Sequence, residues 1–89
     1  KEDVAFVVDE ATPSQAVAAA IIIAGGKWLD DVRLFDVYRG PQLGPGRKSL
    51  AFSVRLRASD HTLSASETEA ARARIIKQVG KYTGAKLRA

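Results

Sequence analysis

Between Lys48 and Arg57 the chain alternates cleanly: Leu50, Phe52, Val54 and Leu56 fall on one side, Ser49, Ala51, Ser53, Arg55 and Arg57 on the other. Period two over ten residues predicts a strand with one face on a core and one face toward water. Asp3–Asp9 is β-branched and aromatic, with Val4, Phe6 and Val8 on one side and Ala5 and Val7 on the other. Apolar residues on both sides predict a central strand. From Thr12 the period changes to 3.6: Val17, Ala20, Ile21 and Ala24 recur at i, i+3, i+4 and i+7. Thr12 as cap, Pro13 at the first helical position and Gln15 closing a capping box predict the start of this helix, and Gly25-Gly26 its end. Ile22 and Ile23 lie off the apolar face, as partly covered flanks or as contacts to a neighbouring domain.

Lys27–Asp31 reads as a turn that tucks Trp28 and Leu29 under the core, and Val32–Arg39 as a second strand. Strict alternation puts Phe35 and Val37 on one side of it, Leu34, Asp36 and Tyr38 on the other, and Arg33 inward. Gly40–Arg47 holds three glycines and two prolines, so it is a loop between strands. Ser64 and Glu67 form a second capping box, opening a helix to about Val79 with Thr68, Ala71, Ile75 and Val79 inward and Gly80 as its stop. Ala85–Arg88 leaves room for a short fourth strand. The order is β-α-β-β-α-β. It predicts a ferredoxin-like α+β fold: a four-stranded antiparallel sheet with two helices on one face and the other face open.

Eighty-nine residues make one domain with one modest core. The chain has no cysteine, so disulfides, thiolate catalysis and iron–sulfur clusters are excluded. The nine apolar residues Ala16–Ala24 fall far short of the roughly 20 that a membrane span needs. The chain does not open on Met and a strand begins almost at once, which leads us to expect a fragment cut from a longer chain. Charge changes the picture more. Residues 33–57 carry six cations against the single acid Asp36, so the net charge of +4 is concentrated on the hairpin. Such a surface suits a polyanion.

Enzyme chemistry is weakly supported. His61 is the lone histidine, in a loop beside Asp60, with no second ligand at metal-binding spacing. The glycine-rich loop joins a strand to a strand, whereas a phosphate-binding loop joins a strand to a helix. The open sheet face suits single-stranded nucleic acid instead: Tyr38 can stack a base, Ser49 and Asp36 can hydrogen-bond base edges, and Arg39, Arg47, Lys48, Arg55 and Arg57 can hold the backbone phosphates. Phe6 and Phe52 point inward by parity, which argues against a typical RNA-recognition motif, whose central strands stack bases on aromatics.

The stretch "VRLFDVYRG", a Gly/Pro loop and then "GRKSLAFSVRLRASDHTLSASE" closely resembles the C-terminal anticodon-binding domain of the bacterial phenylalanyl-tRNA synthetase β subunit. "DVAFVVDE" at the start and "GAKLR" at the end extend the resemblance over essentially the whole chain. Arg47 replaces the usual Lys of GKKS, Ser64-Ala65 replaces Thr-Asp, and Glu2 stands where the family often has Arg. The resemblance implies a ferredoxin-like domain that grips the anticodon stem-loop of phenylalanine tRNA. Tyr38 and Ser49 would match the tyrosine that stacks on the first anticodon base and the serine that helps read it, with Asp36 at a further matching position. It also implies a cytoplasmic αβ heterotetramer that uses ATP and Mg²⁺, with the rest of the β subunit and the α subunit as partners. This domain would hold no cofactor, and the catalytic centre would lie elsewhere. The rival reading is a small-molecule-sensing or protein-docking domain that does not bind RNA.

Overall fold

The computed structural model describes residues 1–88, in the order β1 (Glu2–Asp9), α1 (Ser14–Gly25), β2 (Leu29–Tyr38), β3 (Arg47–Leu56), α2 (Ala65–Thr83) and β4 (Lys86–Leu87). Short 3-10 turns follow α1 at Gly26–Trp28 and β2 at Pro41–Leu43. One antiparallel sheet has the strand order β2-β3-β1-β4, so β1 and β3 occupy its centre. This is the ferredoxin-like α+β architecture that the element order predicts.

The β1–β3 ladder runs in unbroken register from Glu2 opposite Val54 to Asp9 opposite Arg47. Directly opposed residues share a face. Val4, Phe6 and Val8 therefore join Leu50, Phe52 and Val54 on the helix side, where Val17, Ala20, Ile21, Ile75 and Val79 close the core. Burial of each large side chain here is worth roughly 1.5–3 kcal/mol. Ala71, Ile75 and Val79 are buried on α2 as the periodicity predicts. Ile22 and Ile23 remain exposed.

The helix ends depart from the sequence expectation in two places. Thr12 does not cap α1. Its N–H donates to the Asp9 carbonyl at 2.9 Å in a tight turn, the extended Pro13 becomes the cap position, and no side chain caps the helix. Proline's fixed φ fits that extended turn as well as a first helical residue. Gly80 does not stop α2, because one glycine costs a helix interior only about 1 kcal/mol. The helix runs to Thr83 and ends at Gly84, whose φ of 74° is the left-handed cap conformation and whose N–H donates to the Gly80 carbonyl. At the other end of α2 the predicted box forms in full: Ser64 Oγ accepts from Glu67 N–H at 3.1 Å, and Ser64 N–H donates to Glu67 Oε1 at 2.9 Å. The C-terminal end of α1 is tied down by Arg74, whose Nε donates to the Ala24 carbonyl at 2.9 Å.

His61 joins this capping network. Its Nδ1 lies 2.7 Å from Asp60 Oδ1 and its Nε2 3.1 Å from Glu67 Oε2. Both ring nitrogens can donate only when the imidazole is charged. The hydrogen bond to Asp60 first, then that to Glu67, therefore raises the His61 pKa above its ordinary 6.5. A raised folded-state pKa gives stability that is fully present below 6.5 and lost as pH rises through the folded value. Melting curves should show the wild-type chain losing its advantage over His61→Gln as pH rises above 6.5. Parallel curves for the two proteins across that rise would contradict the assignment.

Candidate nucleic-acid interface

The open face is built outward from β3, because its inward set is fixed by the core. Ser49, Ala51, Ser53 and Arg55 must point away from the helices, and β1 adds Asp3, Ala5, Val7 and Asp9 by register. On β2 the ladder pairs Tyr38 with Ser49, Asp36 with Ala51, Arg33 with Ser53 and Asp31 with Arg55. Asp36, Tyr38 and Ser49 thus share the open face, as expected from parity.

Strict alternation fails elsewhere on β2. Leu34 pairs with Phe52 and Asp36 with the adjacent Ala51, so Phe35 is an extra, bulged residue. The bulge reverses parity between the two halves of the strand. Leu34 shares the helix side with Phe52, not the open side with Tyr38. Arg33 is outward, opposite Ser53, not inward. Phe35 is parted from Val37 and lines an open-face cleft with Arg33, Ser53 and Arg55. No composition signal announces the extra residue, because both possible registers place apolar and polar side chains on each face.

The cations are placed unequally. Arg55 and Arg57 are exposed at the far end of β3, and the Arg57 N–H donates to the Trp28 carbonyl at 2.7 Å. Arg47 is on the open face opposite Asp9, with its Nε 3.5 Å from that carboxylate. Arg39 forms a two-pronged pair with Glu10, at 2.6 and 2.7 Å. This pair holds the Glu10 carboxyl below its usual range, chiefly through the hydrogen bond, and raises Arg39. Lys48, expected to hold a backbone phosphate, has the parity of the inward set. It lies opposite the buried Val8, hence on the helix side, with its side chain 12% exposed and Nζ 3.9 Å from Glu10. A phosphate could meet it only at the loop end of the strand.

The two candidate base-reading residues are not equally accessible. Tyr38 is half-buried, whereas Ser49 is only 2% exposed despite its place on the open face. The Tyr38 hydroxyl accepts from Gln42 Nε2 at 2.6 Å, and the Arg88 guanidinium lies over its ring, 4.7 Å from the centroid. Arg88 follows β4, and its N–H donates to the Ala5 carbonyl at 2.8 Å, which anchors it at the opposite sheet edge. The sequence reading missed Arg88 because nothing local links it to a tyrosine fifty residues earlier. No His/Cys/Asp/Glu cluster that could hold a metal ion occurs among the described residues, and no helix among them is long and apolar enough to cross a membrane.

Fold and face together define a ferredoxin-like α+β domain whose helix-free sheet surface carries an aromatic residue, hydroxyls and arginines. Comparison with known sequences specifies it further. Residues 1–88 match the family described as "Ferredoxin-fold anticodon binding domain", and the chain belongs to that family. It is similar to the phenylalanine–tRNA ligase β subunit of Thermobifida fusca, at 48% identity over 98% of this chain and 10% of that protein. The Rhodospirillum rubrum β subunit is 50% identical over 97% of this chain and 11% of its own length. The Corynebacterium jeikeium β subunit is 46% identical over 99% and 10%. The chain therefore spans about a tenth of the length of these relatives.

Gly40 keeps the tyrosine in place. A Cβ there would collide with the Tyr38 hydroxyl and come within 2.7 Å of Gln42 Oε1. Gly40→Ala should push the ring off Gln42 and destabilise the fold by about 1–3 kcal/mol, the usual range for overpacking. Ring resonances of Tyr38 and a melting curve check both parts; unaltered ring shifts would disprove the packing role.

Proposed function

We propose that this chain is the anticodon-binding domain of a phenylalanine–tRNA ligase β subunit. In this reading it uses the open sheet face to grip the anticodon stem-loop of phenylalanine tRNA. The observation that carries the reading is the cross-strand pair Tyr38–Ser49 on the open face, a stacking ring beside a hydroxyl. The family membership and the names of the relatives support it.

In this reading the first anticodon base stacks on Tyr38, while Ser49 and Asp36 offer hydrogen bonds to its edge. The Arg88 guanidinium occupies one ring face in the free chain. An exposed cation–π contact is worth about 0.5–1 kcal/mol, against about 1–3 kcal/mol for a stacked base. Stacking wins the exchange, and the displaced guanidinium is free to meet a phosphate. Arg39, Arg47, Arg55 and Arg57 meet the backbone along the rim. The domain positions tRNA and performs no bond-making step. ATP, Mg²⁺ and the amino-acid chemistry belong to the rest of a cytoplasmic αβ assembly, of which these 89 residues form one domain.

Titration with a phenylalanine-tRNA anticodon stem-loop tests this directly. Tyr38→Ala should weaken binding by about 1–3 kcal/mol with folding unchanged, and a loop altered at the first anticodon base should bind less well. Equal affinity of both proteins for both loops would remove the base-reading role.

Salt dependence tests the rim. Arg55→Gln should lower the slope of log affinity against log salt by about 0.7–0.9, as for one lost phosphate contact, equally for both loops. A loss confined to one loop would mean that Arg55 reads a base.

A further inference from the structure

We propose that Phe35, with Arg33 and Arg55, forms a second nucleotide-binding subsite on the open face, one that takes an unpaired base other than the one on Tyr38. This rests on the anticodon reading above and extends it to Phe35 and Arg33, to which the sequence reading gave no RNA contact.

The subsite originates in the bulge. An extra residue in an edge strand costs a ladder position and re-aims one side chain. Here that side chain is a phenylalanine, 55% exposed, on a face otherwise built of hydroxyls, charges and small residues. It takes no part in the core cluster. The bulge that lets Leu34 and Val37 both fall on the helix side leaves the ring on the open side, with no core contact of its own. Phe35 borders a cleft of about 310 Å³ whose other walls include Arg33, Ser53, Arg55, Asp3 and Asp31. The arginine side chains are 76% and 60% exposed and only loosely paired, Arg33 at 4.0 Å from Asp31 and Arg55 at 3.6 Å from Asp30. Exposed surface pairs of this kind are weak and yield easily to a phosphate. An exposed ring flanked by two available guanidinium groups suits a single-stranded nucleotide: base on the ring, phosphate on an arginine.

Position along the strand makes the occupant RNA continuous with that on Tyr38. Phe35 lies three positions before Tyr38, about 10 Å at the usual strand rise. Both side chains stand on the same face, so one single-stranded segment can engage both. Two stacked bases held by two rings fix the direction of the loop across the sheet, which one ring cannot do.

The test uses the 89-residue chain, whose core closes within itself, and the anticodon stem-loop with 2-aminopurine at each unpaired position in turn. Phe35→Ala should weaken binding about five-fold or more without altering the salt slope. It should also abolish stacking-induced quenching at a loop position whose quenching survives in Tyr38→Ala. Phe35→Trp should restore it. Arg33→Gln should lower the salt slope by about 0.7–0.9. Wild-type affinity and quenching in Phe35→Ala, alongside losses in Tyr38→Ala, would overturn this subsite and leave the anticodon reading standing. A wild-type chain that does not bind, or a Tyr38→Ala variant with unchanged binding, would overturn the anticodon reading and this proposal with it. Phe35→Leu keeps apolar bulk without a π face, so a loss in this variant as well separates stacking from unfolding.

Discussion

The eight-residue antiparallel register between β1 and β3 is the constraint on which everything else depends. Once Phe6 and Phe52 are sealed beneath the helices, period two leaves no choice about what stands on the other side. A slip of one residue would exchange Phe52 for Ser53 and Leu50 for Ser49, placing hydroxyls in the core and aromatics in water. Each such exchange costs several kcal/mol, so the positions of Ser49, Ala51 and Ser53 follow from the packing of a core they never touch. The open face is thus fixed by hydrophobic burial and then decorated with polar chemistry.

The edge strand β2 answers to two masters, and the bulge at Phe35 is how it serves both. Upstream of it, Val32 and Leu34 fall on the helix side; downstream, Val37 falls on the helix side while Tyr38 faces out opposite Ser49, with Leu34 and Val37 still partly open to solvent at the sheet edge. Val32, Leu34 and Val37 are spaced two and then three apart, which no regular strand can place on one face. One added residue absorbs the mismatch. That is why strict alternation, applied to Val32–Arg39, placed Asp36 and Tyr38 correctly and Leu34, Phe35 and Arg33 incorrectly.

The legibility of this sequence follows the same division. Where one force dominates locally, the pattern can be read: alternation on β3, the 3.6-residue stripe of α2, the Ser64–Glu67 box. Where two local solutions lie within about 1 kcal/mol, it cannot: Thr12 or Pro13 at the start of α1, Gly80 or Gly84 at the end of α2. Features that need distant partners leave no local trace, among them the reach of Arg88 to Tyr38 and the closure over Ser49. The resemblance of residues 32–67 to a known family supplied base-reading candidates, but neither it nor parity could show that Ser49 is covered in the free chain.

That closure bears on how such a surface binds. The cationic rim is not a bare electrostatic field: Arg39 holds Glu10, Arg47 lies by Asp9, Arg55 by Asp30, Arg33 by Asp31, and Arg88 covers Tyr38. A phosphate that arrives exchanges one anion for another at sites where each surface pair is worth about 0–1 kcal/mol. The net Coulombic gain per arginine is then smaller than a count of positive residues suggests, and nonspecific attraction stays modest. In the proposed reading, discrimination falls instead to what no internal carboxylate can supply, the stacking of bases on rings and the shape of the face that holds them. Under the proposed anticodon reading, a small module gains from this arrangement, because weak grip with sharp geometry lets linked contacts set the affinity while the small domain sets the choice.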